Sequence, residues 1–221
     1  MERTLKNAAE VQRMPSPAPR PQSLAFDGDT LWMGSIETCR LYAIDTVHWT
    51  VRDEAEAPGK PWGMTVMGDE LRVLLGEGAD DTRTIRRFVP GHGFKSEGAI
   101  PCPGDTGSQL GFDGDRLYVS QWYNKRVISL DADGREGTVI EAPHGICGQV
   151  VVGGVFYLLG TDDESHGDYV VTRIDARNGQ SKSEDLAVLA FPARGLAWDS
   201  ARNRFWTNHR EAHEIVAFTI E

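Results

Sequence analysis

Apolar and polar positions along the chain fall into one unit written five times. Leu24-Ala25-Phe26-Asp27-Gly28-Asp29-Thr30-Leu31-Trp32-Met33 returns as Leu110-Gly111-Phe112-Asp113-Gly114-Asp115-Arg116-Leu117-Tyr118-Val119. Looser copies run over 64–73, 150–157 and 196–206. Phe26, Val66, Phe112, Val151 and Trp198 are equivalent, with spacings of 40, 46, 39 and 47 residues, a mean of 43. A period of that length is a β-propeller blade rather than a helical repeat.

Each unit predicts four short antiparallel strands. An apolar run meets a Gly/Asp turn, the signal of a tight hairpin, and a second strand with aromatics follows (31–34, 117–120, 205–207). A third strand comes after a variable loop (41–45, 85–88, 127–131, 170–175, 215–218). A weaker fourth precedes a proline-containing crossover (50–53, 97–100, 138–141, 187–190). The fifth unit reaches Glu221 after its third strand, and Ala9–Pro15 resembles the missing fourth. The expected architecture is therefore an all-β, five-bladed β-propeller forming one domain over 1–221. Its blades fall at 22–57, 62–100, 108–142, 147–190 and 194–221 plus 8–15, and the N-terminal strand closes the ring and leaves no open edge.

The 221 residues include 33 acidic and 23 basic side chains, a formal charge of −10, which with no basic stripe argues against nucleic acid as a partner. No apolar run approaches the ~18 residues of a membrane-spanning helix. The first residues lack the apolar stretch of a secretion signal, so a cytoplasmic location is expected. Three scattered cysteines make neither a disulfide framework nor a CxxC zinc site.

Strand order sorts the loops between two faces. Crossovers and second-to-third-strand loops share one face, which takes His144, His166 and His209, while His48 and His92 fall in turns on the other. Counting four back from the aligned apolar residue places Gln22, Trp62, Ser108, Cys147 and Arg194 at the mouth of a central channel. They are followed by Ser23, Gly63, Gln109, Gly148 and Gly195. Five related positions carrying five different side chains suit an asymmetric ligand. At the ends of the second strands, Glu37, Glu77, Asp162 and Glu211 share one register, with Tyr123 in the remaining blade. Such carboxylates suit general-base work or a cation. His209 is expected to turn toward the axis with Gln121 and serve as base or acid, and Arg194 to hold an anionic group. Cys147 beside a cation has the setting of a reactive thiolate.

Phe26-Asp27-Gly28-Asp29-Thr30-Leu31, Asp115-Arg116-Leu117-Tyr118-Val119-Ser120-Gln121-Trp122 and Arg194-Gly195-Leu196-Ala197-Trp198 resemble glutamine cyclotransferase. That family places glutamates at the start of its first inner strands, where this chain has Gln22 and Trp62. Trp32, Tyr118 and Asn124-Lys125-Arg126-Val127-Ile128 are similar to blades of the lactonase and streptogramin-lyase propellers. The lactonase likeness implies a divalent metal held by carboxylates and asparagines at inner-strand starts, which this chain does not supply. The lyase likeness implies His and Glu at second-strand ends, for which His209 and Glu211 are the analogues.

The expectation is a small-molecule enzyme, a lyase, cyclase or hydrolase, working by acid/base chemistry in the axial pocket. Its catalytic candidates are His209, Arg194, Glu37 and Glu77. Its substrate-binding candidates are Gln22, Trp62, Ser108, Gln109, Gln121, Trp122, Tyr123, His144, Cys147, Gln149, Asp162 and His166. The partner is a small molecule, with neither membrane nor nucleic acid. No cofactor or closed metal site is expected, and a divalent cation is left open. The alternatives are a non-catalytic ligand-binding or interaction propeller and a divergent glutamine cyclotransferase.

Overall fold

A computed structural model describes residues 5–165, 167–176 and 181–220. Five antiparallel sheets follow one another along the chain, with inner strands Pro21–Phe26, Lys60–Met67, Gln109–Phe112, Gly145–Val152 and Ala193–Asp199. Each inner strand packs against the next, and the last against the first, so the sheets stand as the blades of a five-bladed β-propeller. The second strands are Thr30–Ser35, Glu70–Glu77, Leu117–Gln121, Val155–Thr161 and Arg204–His209. The third strands are Arg40–Asp45, Thr82–Val89, Arg126–Leu130, Tyr169–Asp175 and Glu214–Thr219.

Strand alternation sends successive side chains to opposite faces, and here both faces are buried. Leu31 and Met33 pack with Trp206 and Ala217 of the last blade, while Trp32 between them packs with Phe88 of the second. The same division gives a hydrophobic cluster at each of the five seams between blades. This is why the second strands carry consecutive apolar residues, such as Leu31-Trp32-Met33 and Val73-Leu74-Leu75, instead of a strict alternation.

The repeated Asp-Gly-Asp turn is explained by its first aspartate. One oxygen of Asp27 accepts the backbone N–H groups of Asp29 and Thr30 at 2.9 and 2.7 Å, and the other accepts the Trp32 indole N–H at 3.0 Å. Asp113 repeats this with Asp115, Arg116 and the Tyr118 hydroxyl. The side chain thus replaces a turn's missing backbone partners and fixes the next strand's aromatic. The phrases most alike between blades hold turns, not ligands.

The outer strands vary most. Thr50–Glu56, Glu136–Glu141 and Lys182–Leu189 complete their blades. In the second blade the strand expected over 97–100 is split: Gly93–Phe94 and Ile100–Pro101 each pair with Thr82–Val89, the Lys95 N–H still donates to the Arg87 carbonyl at 3.0 Å, and residues 96–99 lie off the ladder. Gly93 and Gly98, both at positive φ, turn the chain out and back. In the last blade Ala9–Pro15 pairs antiparallel with Glu214–Thr219, Arg13 opposite Val216. Just before it, Lys6–Asn7 runs parallel to Ala187–Val188 of the fourth blade. Among the described residues there is no α-helix, and no helix is long and apolar enough to cross a membrane.

Candidate functional site

The site is made where the inner strands leave their ladders. In the first blade Pro21 pairs with Ser35 and Ser23 with Gly34, leaving Gln22 without an opposite residue. Trp62 is skipped in the same way between Pro61 and Gly63, and Cys147 between Ile146 and Gly148. In the fifth blade the slip follows Arg194, before Ala197. A bulge re-aims the side chain it carries. Repeated around the axis, these bulges point Gln22, Trp62, Cys147 and Arg194 into one cavity of about 740 Å³.

Ser108, Gln109, Trp122, Tyr123 and Asp162 line the same cavity. Nine of the sixteen sequence-derived candidates therefore converge. Trp62 and Trp122 form apolar walls with Ile146, and Tyr123, 84 % exposed, packs edge-on to Trp122 at 4.9 Å between ring centroids. Gln109 Nε2 donates to the Trp62 carbonyl at 3.0 Å, and Gln22 Oε1 accepts from Arg210 at 3.1 Å.

Arg194 lies on the floor, 4 % exposed. Its Nη1 donates to the Tyr169 hydroxyl and to the Ala193 carbonyl, both at 2.8 Å, and its Nη2 lies 3.2 Å from Glu164 Oε2. Burial weighs against its charge, but Cys147, Tyr169 and Glu164 nearby outweigh it, and its pKa is raised. Three further arginines line the cavity. Arg20 and Arg210 sit at its mouth, and Arg83 lies over the Trp62 ring at 4.4 Å, paired with Asp81. Against these four cations stand Asp162, Asp163 and Glu164. Lys125, and then His144, hold the Asp162 carboxyl below the usual carboxylate range. Burial pushes the Cys147 thiol up to about 11, which leaves it protonated at neutral pH despite Arg194.

Six candidates lie elsewhere. His209 does not turn to the axis. It shares a strand face with Phe205, toward the seam with the fourth blade. There it stacks on Phe191 at 4.9 Å, with Arg13 at 3.2 Å and Glu214 at 3.5 Å from its Nδ1. Burial, with Arg13 adding to it, lowers its pKa. Gln121 is fully buried and spent on structure: its amide donates to the carbonyls of Pro103 and Thr106 and accepts from Asn124 and Arg126. It holds the crossover that forms one wall. Glu77 is paired with Arg86 at 2.5 Å, and Glu37 is exposed away from the cavity. His144 lies between Asp162 and Asp185, at 2.9 and 3.4 Å, behind the wall. Gln149 lines a second, smaller cavity of about 190 Å³, among Leu24, Met64 and Leu196 at the other end of the inner strands. His166 lies outside the described residues. The register of Glu37, Glu77, Asp162 and Glu211 is no carboxylate ring, since only Asp162 reaches the cavity. Among the described residues no three His, Cys, Asp or Glu side chains group to hold a metal.

Arg20, Arg83, Arg210 and Glu164 were not expected in these roles. Arg210 stands one residue before Glu211 of the aligned acidic register and Glu164 two after Asp162, so the repeat could have pointed to them. Arg83 begins a third strand after a loop of variable length, where the repeat gives no alignment.

No protein-family model matches the chain, and neither does any curated protein. A solved structure does. It is that of a structural genomics protein of unknown function from Bacteroides thetaiotaomicron VPI-5482, 13 % identical, with a TM-score of 0.63 over 99 % of this chain and 75 % of that one. The likeness is one of fold.

Proposed function

We propose that the protein binds a small organic anion with an apolar, ring-sized body in the axial cavity. The observation that supports this most is Arg194, a buried guanidinium in a cavity whose apolar walls are Trp62, Trp122 and Ile146. A cavity of about 740 Å³ is within the ordinary size of small-molecule sites, roughly 300–1,000 Å³. Arginines at the mouth favour negative ligands, and tryptophan faces favour planar ones.

Binding is preferred to acid/base turnover because no histidine lines the cavity among the described residues, and the Cys147 thiol stays protonated. The carboxylates a lyase, cyclase or hydrolase could use here are Asp162, Asp163 and Glu164, of which Asp162 and Glu164 are already in ion pairs.

Titration calorimetry with benzoate, benzamide and benzylamine tests the reading. Benzoate is expected to bind tightest, and Arg194→Lys to weaken it by at least about tenfold, because an ammonium cannot reproduce the planar fork held by Tyr169 and Ala193. Equal affinity for benzoate and benzamide, or an Arg194→Lys protein that binds benzoate as the parent does, would overturn it.

A further inference from the structure

We infer that Glu164 is the pocket's own stand-in for its ligand, and that the ligand is an aromatic monocarboxylate whose carboxylate replaces Glu164 on Arg194. This rests on the anion-binding reading above and adds the ligand's charge and the residue that selects for it.

A guanidinium as buried as Arg194 needs a counter-charge. Within the cavity Glu164 supplies it, but loosely. The 3.2 Å separation is longer than the roughly 2.7–2.9 Å of a strong charge-assisted bond, and the Glu164 side chain is 49 % exposed. One partner is fixed while the other is half in water, so exchange costs little: the departing carboxylate is re-solvated as the incoming one arrives.

The local scaffold permits the exchange without rebuilding. The Tyr169 hydroxyl accepts from Arg194 Nη1 and donates to the Glu164 backbone carbonyl at 3.1 Å. Both ends of the exchange are therefore held by one residue that a ligand need not disturb, and only the Glu164 side chain has to rotate. Arg194 Nη1 is already committed to two acceptors, so Nη2 is the nitrogen on offer. That is room for one carboxylate, and it does not match the three oxygens of a phosphate.

Arg83 and Arg210 already have Asp81 and Glu211 as partners, and Asp162, Asp163 and Glu164 stand on the same wall, so an incoming charge is accommodated by exchange with Glu164 on Arg194 rather than by a surplus of arginines. The displaced Glu164 carboxylate, re-solvated but still tethered beside the cavity, would repel a second ligand charge. Glu164 thus selects for one negative charge against two.

The test is calorimetric titration of the full chain, parent and Glu164→Gln, with benzoate, benzamide and phenyl phosphate at fixed ionic strength. If Glu164 holds Arg194 about nine-tenths of the time, freeing it tightens benzoate about tenfold. Benzamide should be unaffected, and phenyl phosphate should gain more than benzoate. Glu164 is half exposed, so the variant should melt as the parent does. Should Glu164→Gln not fold, Glu164→Ala carries the same expectation. Unchanged or weaker benzoate binding in the variant, with binding still dependent on Arg194, overturns the stand-in role and leaves the anion reading intact. Phenyl phosphate binding tighter than benzoate in the parent overturns the monocarboxylate assignment. Benzoate binding no tighter than benzamide in both proteins overturns the anion reading and this inference together.

Discussion

Gln22, Trp62 and Cys147 each stand opposite no residue of the neighbouring strand, and the strands can approach the axis there because the residues that follow are small. Gly195 shows the constraint most sharply. Its φ is +69°, and a Cβ there would lie 2.8 Å from the Gln22 carbonyl oxygen and 3.2 Å from the Leu24 nitrogen, both backbone atoms that cannot move aside. Gly195→Ala therefore combines left-handed strain with overpacking and should cost about 2–4 kcal/mol. Urea unfolding checks it, and a loss below about 1 kcal/mol would mean the axis is looser than described. The mouth positions were legible because a repeat aligns them without any knowledge of side-chain direction. Direction itself was not. His209 and Gln121 have plausible chemistry in a plausible register, yet strand alternation turns one into a seam and backbone carbonyls consume the other. The bulges that decide which residues face inward leave no mark in a polar/apolar pattern.

Between elements, ion pairs join side chains of neighbouring strands. Glu70 opens the second strand of the second blade and is gripped by Arg87 of the third strand and by Arg72 of its own, with Glu70–Arg72 at 2.8 Å. The Arg87 hydrogen bond, then Arg72, brings its pKa from 4.5 to about 2. A carboxylate with a depressed folded pKa contributes stability above its unfolded pKa and loses it as pH falls toward the folded one. Glu70→Gln should thus be less stable than the parent at pH 7, the gap closing between about pH 4.5 and 2. Urea midpoints at pH 7, 4 and 2.5 measure it, and a gap independent of pH would rule out the ion pair as its source. That same blade is where the reading of strands from sequence went astray. Hairpin turns announce themselves by Asp and Gly because the turn needs those residues. An outer strand such as 97–100 has only one neighbour, so its sequence is under little constraint, and glycines at positive φ could break it in two.

At the scale of the molecule, five seams bind five blades, and one blade is assembled from both ends of the chain. The formal charge of −10 gives no hint of this arrangement, nor of four arginines gathered at one cavity, because a sum carries no positions. The repeat carries them, which is why blade number and cavity location could be read while the cavity's charge could not. The N-terminal strand reaches three blades. Residues 6–8 hydrogen-bond along the fourth, and 9–15 cover the outer edge of the fifth. The Pro15 carbonyl accepts the indole N–H of Trp49 in the first at 2.9 Å. Within the fifth blade, Gln12 accepts from Arg204 at 3.0 Å, and Arg13 reaches Glu10, Glu214 and the Phe191 ring. Removing residues 1–15 would strip these ties together and leave Glu214–Thr219 as an open edge, a template for pairing with a second copy. A loss of about 4 kcal/mol in a chain of this length lowers the melting temperature by about 8–16 °C. The truncated protein should melt at least that much earlier by circular dichroism and run partly as a dimer in light scattering after size exclusion. Because the cavity lies at the axis, away from the removed strand, any folded truncated protein should keep the parent's affinity for benzoate. An unshifted melting curve would show that the seams alone hold the last blade, and that the strand from the N-terminus decorates an edge already stable without it.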